Sequence, residues 1–463
     1  MDLVGTRSKR GKQMKTRPRT AALFGKIVRP LSLVAAVCAA TSATAGATTF
    51  FVNSHAAPGG DGLSWSTAFK SLDDAFAAVA ANPGADEIRV AEGRYRPTVR
   101  TTATDPRSVT FKIPHNTTLR GGFLGTELGL PALGQPRKTI LSGDIGVLGD
   151  PSDNAYHVVS AISVNGTVTA AIDGFTIRDG HADTGDVRGG GLFVNGGFVG
   201  LNFTISHCIV RDNWAGDAGG MFYQSAHVRM WKCKFEHNYA SNRGGALRAQ
   251  AAYMRCDMSS FLSNTSVNGG GAVVIAGNPD PSSVFVNCLF AKNESLAGGG
   301  GAVFMGSGQY TSGSGMWINC TFAENTSSGT GSAIYAGPTA TIPAIAIVRN
   351  CVAWNNTPAA SPLANAYEVS YSDVEGGWPG TGNVNADPYL TADYTLSAGS
   401  PAIDSGSNAL MLLDALDLDA DGVTAEPVPF DLAGHARQID DPSTPDTGAG
   451  VAPIVDMGAF EHG

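Results

Sequence analysis

The sequence predicts an all-β fold, a parallel β-helix built as a solenoid of stacked coils with a short capping helix at its N-terminal end. Three observations carry this expectation. One phrase, Cys-x-Phe-x-x-Asn and then Gly-Gly-Ala, is rewritten as "KCKFEHNYASNRGGALRAQ" from residue 232, "NCLFAKNESLAGGGGAVFMG" from 287 and "NCTFAENTSSGTGSAIYAG" over 319–337. Its asparagines, Asn213, Asn238, Asn264, Asn293, Asn325 and Asn356, recur every 25 to 32 residues, a solenoid period. The chain is rich in glycine, 59 of 463 residues, only 15% of it is charged, and the repeat shows no helical periodicity.

Residues 1–47 read as an export signal. Arg7, Lys9, Arg10, Lys12, Lys15, Arg17, Arg19, Lys26 and Arg29 precede an apolar run from Leu31 to about Ala40, which is too short to span a bilayer. Small residues between Ala43 and Ala47 offer a cleavage site. Residues 48–100 hold the N-terminal cap and first coil. Ser71-Leu72-Asp73-Asp74 starts a helix in the manner of a capping box, Phe76, Val79 and Ala80 share its apolar face, and Asn82-Pro83-Gly84 stops it. The helix is expected over the open mouth of the solenoid with Trp65 packed nearby, because an uncovered coil exposes core and strand edge. "DEIRVAEGRYRP" then opens the first coil.

Residues 101–360 supply the repeats. Five residues before the asparagines stand Cys208, Cys233, Ser259, Cys288, Cys320 and Cys351, and three before them Val210, Phe235, Phe261, Phe290, Phe322 and Ala353. Positions two apart face one side of a strand, so both columns point inward. The asparagines are expected at a turn, tolerating left-handed backbone and bonding the asparagine of the neighbouring coil. Gly219, Gly244, Gly270, Gly299 and Gly331 follow six residues later and let the chain turn tightly. Each unit reads as a short strand, a turn and a second short strand. "GFTIRDG" is an earlier copy in which Gly180 replaces the asparagine. The cysteines read as a buried ladder of free thiols: stacked coils bring them about 4.8 Å apart, but with parallel Cβ vectors that suit a disulfide poorly. Cys256 lies out of that register. Residues 361–463 hold the last coils and a C-terminal segment.

The opening "GGDGLSWSTAFKSLDDAFAAV" with "DEIRVAEGRYRP" resembles bacterial secreted right-handed parallel β-helix proteins of the pectate-lyase-like superfold. The Phe-x-x-Asn and Gly-Gly-Ala phrases are similar to the repeats of polymorphic outer-membrane proteins. "DPYLTADYTLSAGSPAIDSG", residues 387–406, and "VDMGAFE", residues 455–461, resemble the choice-of-anchor Q domain. The resemblance implies a right-handed helix at the cell surface or secreted, and it implies no defined reaction. Lyases of this superfold use acidic calcium ligands and a basic residue, and its hydrolases use clustered Asp and a Gly-His-Gly turn. This chain has no Gly-His-Gly, and its Asp-Asp pairs, Asp73-Asp74 and Asp440-Asp441, fall in the cap helix and near the C-terminal end.

Charge narrows the partners. The whole chain carries a formal net charge of −9, and its first 47 residues carry nine basic groups against one acid, so the exported part stands at about −17. Such a chain binds nucleic acid and anionic membranes poorly and divalent cations well. Candidate chemistry lies outside the repeat phrase. Asp179, Asp212 and His237, each just before a turn, stack about 5 Å apart if the coils are in register, and close carboxylates serve glycoside cleavage or cation binding. Arg229, Lys232, Lys234, Arg243, Arg248 and Arg255 fall within two coils and are candidates to grip an anionic polysaccharide. "DLDADG", Asp417 to Gly422, places Asp417, Asp419 and Asp421 at alternating positions before a glycine, like the first half of a calcium loop. The twelfth position is Val428 rather than Glu, and Glu426 comes two residues early, so Asp414 or Asp431 is a candidate to complete the ligands. The expected function is a secreted or cell-surface protein of non-enzymatic type that binds glycans or other surfaces. The alternative is a polysaccharide lyase or glycoside hydrolase.

Overall fold

The computed structural model describes residues 46–463 apart from 82–83, 128, 130–137, 164–167, 198–199, 278–280, 307–312 and 338–342. All but the last two residues of the expected export segment lie outside the described residues, as do Asn82 and Pro83 of the expected helix stop. No helix among the described residues is long and apolar enough to cross a membrane.

The chain winds into a parallel β-helix. A complete coil contributes four strands rather than the expected two, for example His227–Trp231, Lys234–Glu236, Tyr239–Arg243 and Leu247–Gln250. Each strand pairs in parallel with its counterpart one coil on, giving, among the described residues, sheets of eleven, ten, six and nine strands in coil order. Strands this short need a sharp corner between them, and each corner of this coil has a residue in the left-handed region: Lys232, His237, Gly244 and Ala251, with φ of 50°, 53°, 71° and 46°.

The repeat asparagines are not those left-handed residues, which corrects the sequence reading. That conformation belongs to the residue just before them, Asp212, His237, Ser263, Lys292, Glu324 and Asn355, and likewise to Asp179 before Gly180. The asparagine amide is thereby turned inward. Asn264 Nδ2 donates to Asn293 Oδ1 at 3.0 Å and to the Phe235 carbonyl of the preceding coil at 2.9 Å. Asn293 Oδ1 also accepts from the Asn264 backbone N–H at 3.0 Å. The same ladder runs from Asn213 to Asn356, entirely buried, and Gly180 begins it by donating its N–H to Asn213 Oδ1. One side chain thus satisfies corner donors and acceptors that burial would otherwise leave unpaired.

The glycine column shifts by one residue in two coils. Its left-handed members are Gly189, Ala218, Gly244, Gly270, Gly300 and Gly331, so Gly219 and Gly299 sit beside the corner rather than at it. Inside the coils Phe261, Phe290 and Phe322 stack with centroids 4.8 Å apart. Burying each such ring is worth about 1.5–3 kcal/mol. The six described cysteines are buried free thiols. Cys233, Cys288, Cys320 and Cys351 each donate to a carbonyl one coil back at 3.5 Å, and Cys256 approaches Cys288 with the sulfurs 3.8 Å apart.

At the N-terminal end the first strand is Thr49–Val52, which pairs with Asp86–Ala91, so the coils begin before "DEIRVAEGRYRP". The helix Leu72–Ala81 lies between these strands, with Ser71 Oγ accepting from the Asp74 N–H. Its buried residues are Leu72, Ala75 and Val79 within the main core, with Phe76 partly buried. Ala80 is exposed, because the face follows positions three and four apart from Leu72. Trp65 packs on Phe51 and Phe123.

The coils end with the strand Asp373–Val374. Residues 375–463 form turns and a short 3-10 helix, Asn408–Leu410, joined by isolated bridges, and lie against the corner between the eleven- and ten-stranded sheets. Three left-handed corner asparagines hold them: Asn287 donates to the Phe430 carbonyl, Asn319 to that of Asp456 and Asn350 to that of Ser407. This segment buries charge instead of apolar rings, with Asp404, Asp414, Asp431, Arg437, Asp456 and Glu461 all inaccessible or nearly so.

Candidate functional site

The six-stranded sheet starts only at His181–Ala182. One coil earlier the chain leaves the strand Thr139–Ser142 and bulges outward through the short 3-10 helix Pro151–Asp153 instead of adding a strand there. The space left is a groove of about 570 Å³, lined by Arg94, Asp144, Arg178, Asp179, His181, Asp212 and Trp214 among others. Leu148, 73% exposed, also lines it from the bulge.

Asp179, Asp212 and His237 occupy equivalent places in three successive coils, since Arg178 pairs with Arg211 and Arg211 with Glu236. The groove takes in both aspartates, while His237 is exposed outside it. Arg178 lies between the aspartates, with Nε 3.0 Å from Asp179 Oδ1 and Nη2 3.5 Å from Asp212 Oδ2. Arg211 Nε reaches the same Asp212 oxygen at 2.8 Å and continues to Glu236, which Lys234 also contacts. The result is a chain of alternating charges along the groove edge. Asp144 is buried with Arg94 at 3.5 Å and Arg96 at 3.9 Å.

Beside these charges runs an aromatic stack. His181 and Trp214 lie 4.6 Å apart with planes 10° from parallel, and Tyr239 follows Trp214 at 6.2 Å. Rings stacked on each other offer edges along the stack and a face only at its ends. His181 is one such end and lines the groove. Burial holds its imidazole below the ordinary value, against the attraction of Asp183, so the ring is neutral at neutral pH and offers one donor and one acceptor. Arg94, Asp144, His181 and Trp214 escaped the sequence reading. They come from four different strands and loops: Arg94 and Asp144 match no repeat position, while His181 and Trp214 each directly follow the column of Gly180 and Asn213, a recurrence that becomes an aromatic stack only in the coil register.

The basic residues do not form one patch. Arg229 and Arg255 lie on the eleven-stranded sheet, Lys232 at its corner, Lys234 on the ten-stranded sheet, Arg243 on the six-stranded and Arg248 on the nine-stranded. Lys234 pairs with Glu236, Arg248 with Asp217 and Arg255 with Asp257. Lys232 lies over the Phe430 ring and Arg243 over Phe304.

The acidic loop converges. Asp417, Asp419 and Asp421 each bring an oxygen within 4.8 Å of the others, and so do Asp414, Asp419 and Glu426. A bridge between Leu413 and Pro427 closes the loop and sets Asp414 against Glu426. Asp414 is fully buried, with Oδ2 accepting from Leu418 N–H and Oδ1 without a hydrogen-bond partner. Burial and then the four neighbouring aspartates raise Glu426 above the ordinary carboxylate value. Asp431 instead accepts from the backbone of His435 and Glu461.

The sequence matches the right handed beta helix region over residues 154–327 and the Chlamydia polymorphic membrane protein repeat over residues 319–337. Similar solved structures include pectate lyase Pel9A, 14% identical, covering 91% of this chain and 98% of that one with a TM-score of 0.41. A rhamnogalacturonan lyase is 14% identical over 74% of this chain and 91% of its own, with a TM-score of 0.38. Pectin methylesterase PemA from Erwinia chrysanthemi is 12% identical over 75% and 95%, with a TM-score of 0.32. None of the curated proteins matches the sequence.

Proposed function

We propose that this right-handed parallel β-helix is a secreted or surface protein that binds a saccharide in the groove at the start of the six-stranded sheet. The observation that carries the reading is the pairing of charged hydrogen-bonding groups with the free end of an aromatic stack. Sugars are recognised by that combination, apolar ring faces meeting an aromatic and hydroxyls meeting planar polar groups. The groove charges largely cancel, which favours a neutral or weakly charged saccharide unit. Cleavage is the less supported use. A glycosidase holds its two carboxyl groups about 5–9.5 Å apart around sugar or water, whereas here the Arg178 guanidinium fills the space between Asp179 and Asp212.

Binding to an immobilised glycan panel tests the reading, with Arg94→Ala and Arg178→Ala expected to lose at least about tenfold in affinity, the worth of one charge-assisted hydrogen bond. Equal binding by both variants removes the groove from consideration. Release of unsaturated or reducing ends, abolished in Asp179→Asn, replaces the binding reading with the lyase or hydrolase one.

The acidic loop is proposed to hold calcium through Asp417, Asp419 and Asp421, with Asp414 and Glu426 closing the shell. The support is a buried carboxylate oxygen without a partner beside three aspartates, a donor set suited to calcium's irregular oxygen shell. Such an ion would brace the C-terminal segment.

A further inference from the structure

We infer that the C-terminal segment contains a second site for a hard divalent cation, formed by Asp404, Asp440 and Asp446, and that calcium is its ion. One carboxylate oxygen from each of the three lies within 4.8 Å of the others. No motif joins them in sequence, and the fold alone assembles them.

Asp404 gives the cluster its depth. It is fully buried in the left-handed region, φ 48°, with its N–H donating to Asp456 Oδ1 at 2.7 Å. Its own carbonyl accepts from Thr447 and Gly448, both at 3.0 Å. Three contacts to its backbone therefore hold the Asp404 turn in place. Oδ2 accepts a long bond from the Asp441 N–H at 3.4 Å, while Oδ1 has no hydrogen-bond partner. A buried carboxylate oxygen with no donor is costly, and the cost falls if a cation meets it.

The other two ligands are held in place by a residue that is not one. Asp441 folds its carboxylate back on its own turn, accepting from Ser443 N–H and Oγ and from Thr444 Oγ1. That turn leaves Asp440 and Asp446 exposed on the same side as Asp404. Among the described residues none of the three ligands forms an ion pair with Lys, Arg or His, so no protein cation occupies the position. Three oxygen ligands with two open to solvent leave room for water, which suits the irregular six- to eight-fold shell of calcium better than the strict octahedron of magnesium. An ion here would tie residues 440–446 to the Asp404 turn, on which the network of Asp456 rests.

The inference stands independently of the groove and of the acidic loop. Calcium is titrated calorimetrically into the chelator-stripped full chain, with Asp440→Asn/Asp446→Asn and Asp419→Asn/Asp421→Asn double variants in parallel. Melting in chelator reports whether each variant is folded. Wild type is expected to take two equivalents and each double variant one. If the acidic loop holds no ion, wild type takes one equivalent, kept by the Asp419/Asp421 variant and lost from the Asp440/Asp446 variant. An Asp440/Asp446 variant that binds as many equivalents as wild type overturns the second site.

Discussion

Two regions of one chain reach a buried interior by opposite routes. From Leu201 to Val374 the coils stack phenylalanines, thiols and asparagines in repeating columns. Over residues 375–463 there are no ladders, and beside a small apolar cluster of Leu396, Ala402, Ile403 and Met457 the interior holds a network in which Arg437, Asp456, Glu461, Asp431 and Asp404 hold one another. The coils gain from repetition, since every added coil buries the same face against the last. The C-terminal segment has no neighbour of its own kind, so it satisfies its backbone with buried charges and borrows three corner asparagines from the coils. Its stability should therefore depend on few residues, while that of the coils is spread over many.

The largest effect is expected where the network is densest. Arg437 is 1% exposed, lies 3.6 Å from Glu461 and donates to the carbonyls of Asp456 and Gly458. Arg437→Met strands Glu461 beside Asp456 and should cost about 3–5 kcal/mol. Limited proteolysis should then open residues 375–463 while the coils persist. A single cooperative loss of the whole chain would erase the distinction between the regions.

The seam between them carries a pH response. Burial raises Asp373, in the last strand, to about 7 against an ordinary 3.8, and Asp387 adds to the rise while the Ala386 N–H opposes it. An acid raised on folding stabilises fully below its unfolded value and loses that contribution as pH climbs through the folded one. Stability should fall between about pH 4 and 8, by up to about 4 kcal/mol for a shift of about 3 units. Asp373→Asn should flatten the melting temperature across that range. A wild-type profile already flat there removes the claim.

Calcium should sharpen the contrast further. At 100 times its dissociation constant, each ion adds about 2.7 kcal/mol. Chelation should lower the melting of the C-terminal segment alone, and Asp419→Ala should remove the acidic loop's share of that response. A melt insensitive to chelator leaves the loop an acidic turn.

The smallest single effect is expected in the coils. Asn293→Leu removes the acceptor for two donors of Asn264 and the donor to the Phe261 carbonyl, at about 1–3 kcal/mol. Double-mutant cycles with Asn264 and Asn325 should show coupling, because the three share one ladder. Neutral Asn293→Leu would mean that the ladder adds no stability beyond the stacked rings.

What could be read directly from the residues is what recurs. The Asn, Cys and Phe columns, the coil register and the copy ending at Gly180 are visible because each coil meets the same surroundings and selects the same side chain. The capping helix was visible through its local start at Ser71, and the acidic loop through alternating aspartates. Even there, detail of the third dimension intervened: the left-handed corner sits one residue before the asparagine, two glycines sit one place off their column, and four strands make a coil. The rest depended on contacts made once. Arg94 meets Asp144 across 50 residues, Asn319 meets Asp456 across 137 and Asp404 meets Asp456 across 52. A single long-range contact leaves no period in a sequence, so the groove, the docked C-terminal segment and its charged interior exist only once the chain is wound.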